Sequence, residues 1–167
     1  MPVIDIAKDV DHRTLTITAE FGAPLERVWA MYADPRQLEK VWGPPGMPAT
    51  FVDHDLSAGG RSTYYMTDAV GRKYGGWWQI TKVDEPHGFS FDEGFADADL
   101  VPDVDLPVTH NVYSFTPTAT GTRATYVVSF ASAEDMQTVL DLGTATGLQA
   151  AINQIDEFLE RKRPCAR

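Results

Sequence analysis

The sequence predicts an α+β domain, a curved antiparallel sheet of about seven strands wrapped around a long C-terminal helix, with two short helices after the first strand. Two patterns carry this. Between residues 50 and 131 apolar residues alternate with period two, in runs divided by turn signals. From Ser132 to Arg163 they recur instead at helical intervals, at Met136, Val139, Leu140, Leu148, Ala151, Ile152, Ile155, Phe158 and Leu159. A strand-rich meander followed by one amphipathic helix buries its apolar face under that helix.

In chain order, residues 1–12 are a lead-in, 13–163 a single domain and 164–167 a tail. Arg13 to Phe21 alternates, with Leu15, Ile17, Ala19 and Phe21 on one side and threonines on the other, as a half-buried strand does. Pro24 opens a first short helix, since proline suits a first turn, and turns Leu25, Val28, Trp29 and Tyr32 inward. Asp34-Pro35 starts a second that ends near Val41-Trp42, where the breakers from Gly43 to Pro48 make a loop. Strands follow at 50–56, 61–67, 73–84, 88–95, 108–116 and 122–131, and the glycines at 59, 60, 75 and 76 predict bulges that curl the sheet. Segment 96–107 is an acidic loop carrying Asp97, Asp99, Asp103 and Asp105.

Ser132 and Asp135 then stand at capping-box spacing, and Arg161-Lys162-Arg163 with Pro164 close the helix. Uninterrupted, it would run ~45 Å at ~1.5 Å per residue. Gly143, Gly147 and Ala151 lie four apart on one stripe of it. Glycine inside a helix costs about 1 kcal/mol relative to alanine. Such a stripe serves either close packing on the sheet or a hollow left for a ligand.

Composition removes several classes. A net charge of −10 and a pI near 4.7 argue against nucleic acid and anionic membrane surfaces. One cysteine, Cys165, makes no internal disulfide, and His12, His54, His87 and His110 form no metal-binding motif. The aspartates of 96–107 lack the glycine and distal glutamate of a calcium loop. No metal and no cofactor are expected. An acidic N-terminus and the lack of any apolar run near ~20 residues predict no membrane insertion and a cytoplasmic protein.

Ala23-Pro24-Leu25-Glu26-Arg27-Val28-Trp29, then Asp34-Pro35 and Trp42-Gly43-Pro44, resemble the opening of START-like (SRPBCC) helix-grip domains. Gly59-Gly60-Arg61, Met66, Gly76-x-Trp78-x-Ile80, Gly121-Thr122 and Gly147-Leu148 follow in that family's order, most like its branch of activators of heat-shock-protein-90 ATPase (AHSA-type). The resemblance spans roughly residues 13–160. It departs from the pattern at Leu148, where an aromatic is common, and in the length of the acidic loop. It implies a hydrophobic cavity between sheet and C-terminal helix, and relatives that are lipid or hormone carriers or aromatic-polyketide cyclases and dehydratases. Fold alone does not choose among them.

Strand phase puts Tyr64 and Met66 inward, likewise Trp78 with Gly76 and Ile80, Phe91 and Glu93 with Phe89 and Phe95, and Asn111 with Tyr113 and Phe115. The expected ligand cavity is lined by Trp42, Tyr64, Met66, Trp78, Phe91, Asn111, Tyr113, Met136, Leu140, Gly143 and Gly147. Aromatics and methionine on such faces are more often plain core than ligand contacts. Glu93 is the catalytic candidate: on a Phe-lined face desolvation raises its pKa and suits it to acid–base work. Beside Asp92 and the acidic loop it is instead solvated, and the rarity of buried carboxylates favours that. Three functions remain: binding a small hydrophobic molecule, cyclase- or dehydratase-like catalysis on an aromatic substrate, and a co-chaperone role with a chaperone partner. A homodimer is left open.

Overall fold

Alternating residues pair into one antiparallel sheet of eight strands, in the order β1-β2-β8-β7-β6-β5-β4-β3. The computed structural model describes residues 2–161. The predicted helix stop at Lys162, Arg163 and Pro164, and the tail with Cys165, lie outside them. The strands are β1 (Val3–Asp9), β2 (Thr14–Phe21), β3 (Ala49–His54), β4 (Arg61–Thr67), β5 (Lys73–Asp84), β6 (Gly88–Ala96), β7 (Thr109–Thr118) and β8 (Gly121–Ser129). Helices α1 (Leu25–Ala33) and α2 (Pro35–Trp42) follow β2, and α3 (Ala133–Asp141), α4 (Thr144–Ile152) and α5 (Ile155–Arg161) close the chain. None of the described helices is long and apolar enough to cross a membrane.

The α+β architecture and the strand phases stand as the sequence predicts, with three corrections. The lead-in contains an edge strand, β1, which raises the strand number to eight. The ladder shifts register at Val3/Asp5, Phe51/Asp53 and Ile80/Lys82, while pairing through Gly75 and Gly76 is unbroken. Gly76 serves packing instead, because a Cβ there would run into the Tyr64 ring. Lastly, the single long helix is three segments. Gly143 adopts φ +83°, the left-handed conformation that ends helices and suits glycine. The backbone N–H of Gly147 donates to Gly143 O at 2.9 Å and restarts the helix as α4.

Every strand turns its apolar set to one face, and the helices cover that face. Its main cluster joins Ile17, Phe51, Trp78, Phe91, Tyr113 and Tyr126 to Val28, Tyr32, Leu38 and Trp42 of the early helices and Ile155 and Phe158 of α5. A second cluster, Leu15, Val128, Phe130, Met136 and Val139, seats α3 on β2 and β8. Between them lies α4. Only Ala151 and Ile152 of that segment are buried, and Thr144, Ala145 and Gly147–Ala150 are half-buried.

Candidate functional site

Glu93 is the one carboxylate in phase with the aromatic face. Counting in twos along β6 puts it after Phe89 and Phe91, opposite Trp78 on β5 and Thr109 on β7. The Tyr64 hydroxyl donates to Glu93 Oε2 at 2.9 Å, and the Trp78 indole N–H donates to the same oxygen at 2.8 Å. Oε1 receives no hydrogen bond from the described residues and is not enclosed, so Glu93 as a whole is half-buried. Desolvation raises its pKa above the ordinary value, and the bonds from Tyr64 and then Trp78 pull it partly back. Burial, and then the neighbouring Glu93, push the Tyr64 phenol well up, so that hydroxyl remains a donor. The expected solvated Glu93 is corrected in part: β6 runs on to Ala96, and two donors from neighbouring strands hold one of its oxygens.

Around this group the walls are aromatic. Trp78 stacks on Phe91 with centroids 4.3 Å apart, and Trp42 meets Trp78 edge-on at 4.8 Å and Tyr64 at 5.7 Å. Phe51 stacks on Tyr64 at 5.1 Å. The indole N–H of Trp42 faces the Tyr64 hydroxyl and lowers its pKa as a hydrogen-bond donor, although their geometry falls outside strict hydrogen-bond limits. It is the one buried side-chain polar atom without a partner among the described residues. A neutral donor stranded this way costs about 1–3 kcal/mol.

The structure brings Trp42, Tyr64, Trp78, Phe91 and Glu93 together. Met66 packs half-buried against their cluster, and Asn111 and Tyr113 continue the wall on β7, with Asn111 Nδ2 spent on Thr109 Oγ1 at 3.1 Å. Met136 and Leu140 belong to the second cluster instead. Gly143 stands exposed in the helix break, so the stripe it was expected to share does not form a wall. Gly147 does face space, since a Cβ there would meet nothing within 4 Å. Leu148 beside it packs against both clusters. Phe51 was not singled out for the site, although the alternation Ala49, Phe51 points it inward.

Residues 96–108 and 132–160 contain no Lys, Arg or His, while Asp97, Asp99, Asp103, Asp105, Glu134, Asp135 and Asp141 lie in them. No group of three or more metal-ligating side chains occurs among the described residues. A hollow of about 390 Å³ lies between Gly22–Glu26 and the β7–β8 turn, and one of about 120 Å³ on the outer side of β5–β7.

An eight-stranded antiparallel sheet gripped by C-terminal helices, with two short helices after the second strand, defines a START-like helix-grip protein. The profile described as "Activator of Hsp90 ATPase homolog 1-like protein" matches residues 22–160, and the chain belongs to that family. It is similar to protein Ms6760 from Mycobacterium smegmatis, at 60% identity and TM-score 0.89 over 99% of each chain. A protein from Arthrobacter aurescens is 44% identical, with TM-score 0.91, over 98% of this chain and 94% of its own. A Rhodobacter sphaeroides protein shares the fold at 22% identity and TM-score 0.80, over 94% of this chain and 98% of its own. No curated protein matches the chain.

Proposed function

We propose that the chain binds a small, largely apolar molecule on the inner face of the sheet, where α4 meets the Glu93 group. One observation carries this reading: a half-open carboxyl set in an aromatic wall, with a stranded indole N–H beside it. Apolar walls holding a few convergent polar groups are typical of small-molecule sites. The looseness of α4 supplies the way in. It is bounded by the left-handed Gly143 and by the break at Asn153-Gln154, and most of its residues are half-buried.

The test is native mass spectrometry and tryptophan fluorescence with panels of lipids and aromatic compounds, on the wild type and Gly147→Leu. A Cβ at Gly147 meets nothing within 4 Å, and the two proteins are compared only if their melting curves agree. A compound bound by the wild type and lost at least tenfold by an equally stable Gly147→Leu supports the reading; equal binding by both proteins refutes it.

Proton-transfer chemistry is a second reading, favoured by the raised pKa and the unbonded Oε1 of Glu93. A cyclase- or dehydratase-like turnover that Glu93→Gln abolishes while the ligand still binds would establish it. A co-chaperone role, suggested by the family description, draws on no feature of this site.

A further inference from the structure

The inner face carries a second pair of polar groups, apart from Glu93 and its two donors. Asn111 and Tyr113 follow one another on the inward side of β7, and each is only 2% exposed. Asn111 lies diagonally from Glu93, because β6 pairs Glu93 with Thr109 and Phe91 with Asn111, and diagonal neighbours are about 7–8 Å apart. Its Nδ2 is committed to Thr109 Oγ1 at 3.1 Å and, more weakly, to the Phe91 and Thr109 carbonyls at 3.4 Å. Those bonds fix the amide and leave Oδ1 without a donor from the described residues, yet Oδ1 is not sealed in. The Tyr113 hydroxyl is in the same condition, bonded to no described residue and still open. Both side chains point to the covered face of the sheet, so these openings lie inside the fold. Burial, then Glu93, Tyr32 and Tyr64 in turn, push the Tyr113 phenol well up, so it keeps its proton and is free to donate.

We infer that Asn111 and Tyr113 form a second polar subsite, which takes the amide group of a neutral apolar ligand: its N–H donates to Asn111 Oδ1 and its C=O accepts from the Tyr113 hydroxyl. This deepens the binding reading above and rests on it. Asn111 Oδ1 only accepts, and the Tyr113 hydroxyl has a proton to give. The two stand on separate residues, and an amide carries its donor and its acceptor on separate atoms. An ester or a ketone serves Tyr113 and leaves Asn111 without a donor, while an ammonium serves Asn111 and leaves Tyr113 without an acceptor. An alcohol has to serve both residues through one oxygen. A carboxylate offers Asn111 no donor and brings a second acidic group toward Glu93. Water solvates either group, so the apolar body of the ligand must show its own contribution.

The experiment compares octanamide, methyl octanoate, 1-octanol and octanoate, which share one apolar chain, with acetamide as the bodiless control. Binding is read at the side-chain ¹H–¹⁵N resonances of Asn111 in the wild type, which requires no variant to fold. Octanamide is expected to shift them and to bind about tenfold tighter than the other three, the equivalent of one good hydrogen bond. Acetamide should leave them unmoved at equal concentration. Tyr113→Phe removes no hydrogen bond of the fold and, checked by its melting curve, should weaken octanamide about tenfold. Four results each overturn the subsite and leave the binding reading intact: another of the chain compounds binding as tightly as octanamide, octanamide binding without moving the Asn111 resonances, acetamide moving them equally, or Tyr113→Phe binding octanamide undiminished. If none of the four chain compounds binds, the subsite falls, and the binding reading stands or falls with its own panel of lipids and aromatic compounds.

Discussion

At Glu93 burial and hydrogen bonding pull the carboxyl pKa in opposite directions, and burial wins. Its folded pKa lies above the ordinary 4.5, so the stability it contributes is fully present below that value and is lost as pH rises through the folded pKa. Glu93→Gln keeps an acceptor for Tyr64 and Trp78 but cannot ionise. Its melting temperature should therefore gain on the wild type's as pH rises above 4.5; parallel curves would contradict this. Tyr64→Phe removes the first of the two bonds holding the pKa down. Glu93 should then titrate higher by carboxyl ¹³C shift, with a stability loss of about 1–3 kcal/mol. The sequence put Glu93 on the inner face by counting in twos. It did not disclose that donors from β4 and β5 meet at one oxygen, because that depends on the registers Tyr64↔Gly76 and Trp78↔Glu93.

Among the elements, the strands were legible because each carries its own period, while the C-terminal helix hid its breaks. Apolar spacing survives a two-residue interruption, since α3, α4 and α5 keep their faces on the same sheet. The two stripe glycines consequently have opposite roles. Gly143 sits at φ +83°, where a side chain costs roughly 1–2 kcal/mol, whereas Gly147 is helical with open space at its Cβ. Urea titration should show Gly143→Ala destabilised by that amount and Gly147→Ala stabilised by up to about 1 kcal/mol. The same sign for both would return them to a single stripe. Elements are also tied by His54, at the end of β3. Its Nε2–H donates to the Tyr32 carbonyl on α1 at 2.7 Å, which leaves Nδ1 to accept from the Ser62 hydroxyl on β4 at 2.7 Å. Burial lowers its pKa below the ordinary 6.5, more than the Tyr32 bond restores. For a base held neutral by the fold, stability is full above 6.5 and declines as pH falls from there toward the folded pKa. Wild type should thus lose melting temperature below pH 6.5 more steeply than His54→Gln.

For the molecule as a whole, the sheet must end somewhere, and its two edges differ in how visible they are. β3 carries the inward pair Ala49 and Phe51 and is recognisable from sequence. β1 presents Val3, Asp5, Ala7 and Asp9 against Ile4, Ile6 and Lys8, so charge obscures its alternation; such charges protect a free strand edge from pairing with other chains. Yet β1 is anchored at both ends of the fold. The Glu20 N–H donates to Pro2 O at 2.9 Å, and the Val3 N–H donates to the Asn153 side chain at 3.1 Å, tying the first strand to the α4–α5 junction. Only Val3 and Ile6 of this strand are half-buried, so its apolar contribution is about 2–3 kcal/mol. Removal of residues 1–12 should leave a folded seven-stranded domain that unfolds at lower urea by that amount. It should also bare the edge of β2, whose outward residues are Thr14, Thr16, Thr18 and Glu20 and bring only one charge. Size-exclusion chromatography of the truncated chain should then show concentration-dependent association that the full chain lacks. A monomeric truncation of undiminished stability would mean that β1 is an ornament of the sheet and not its guard.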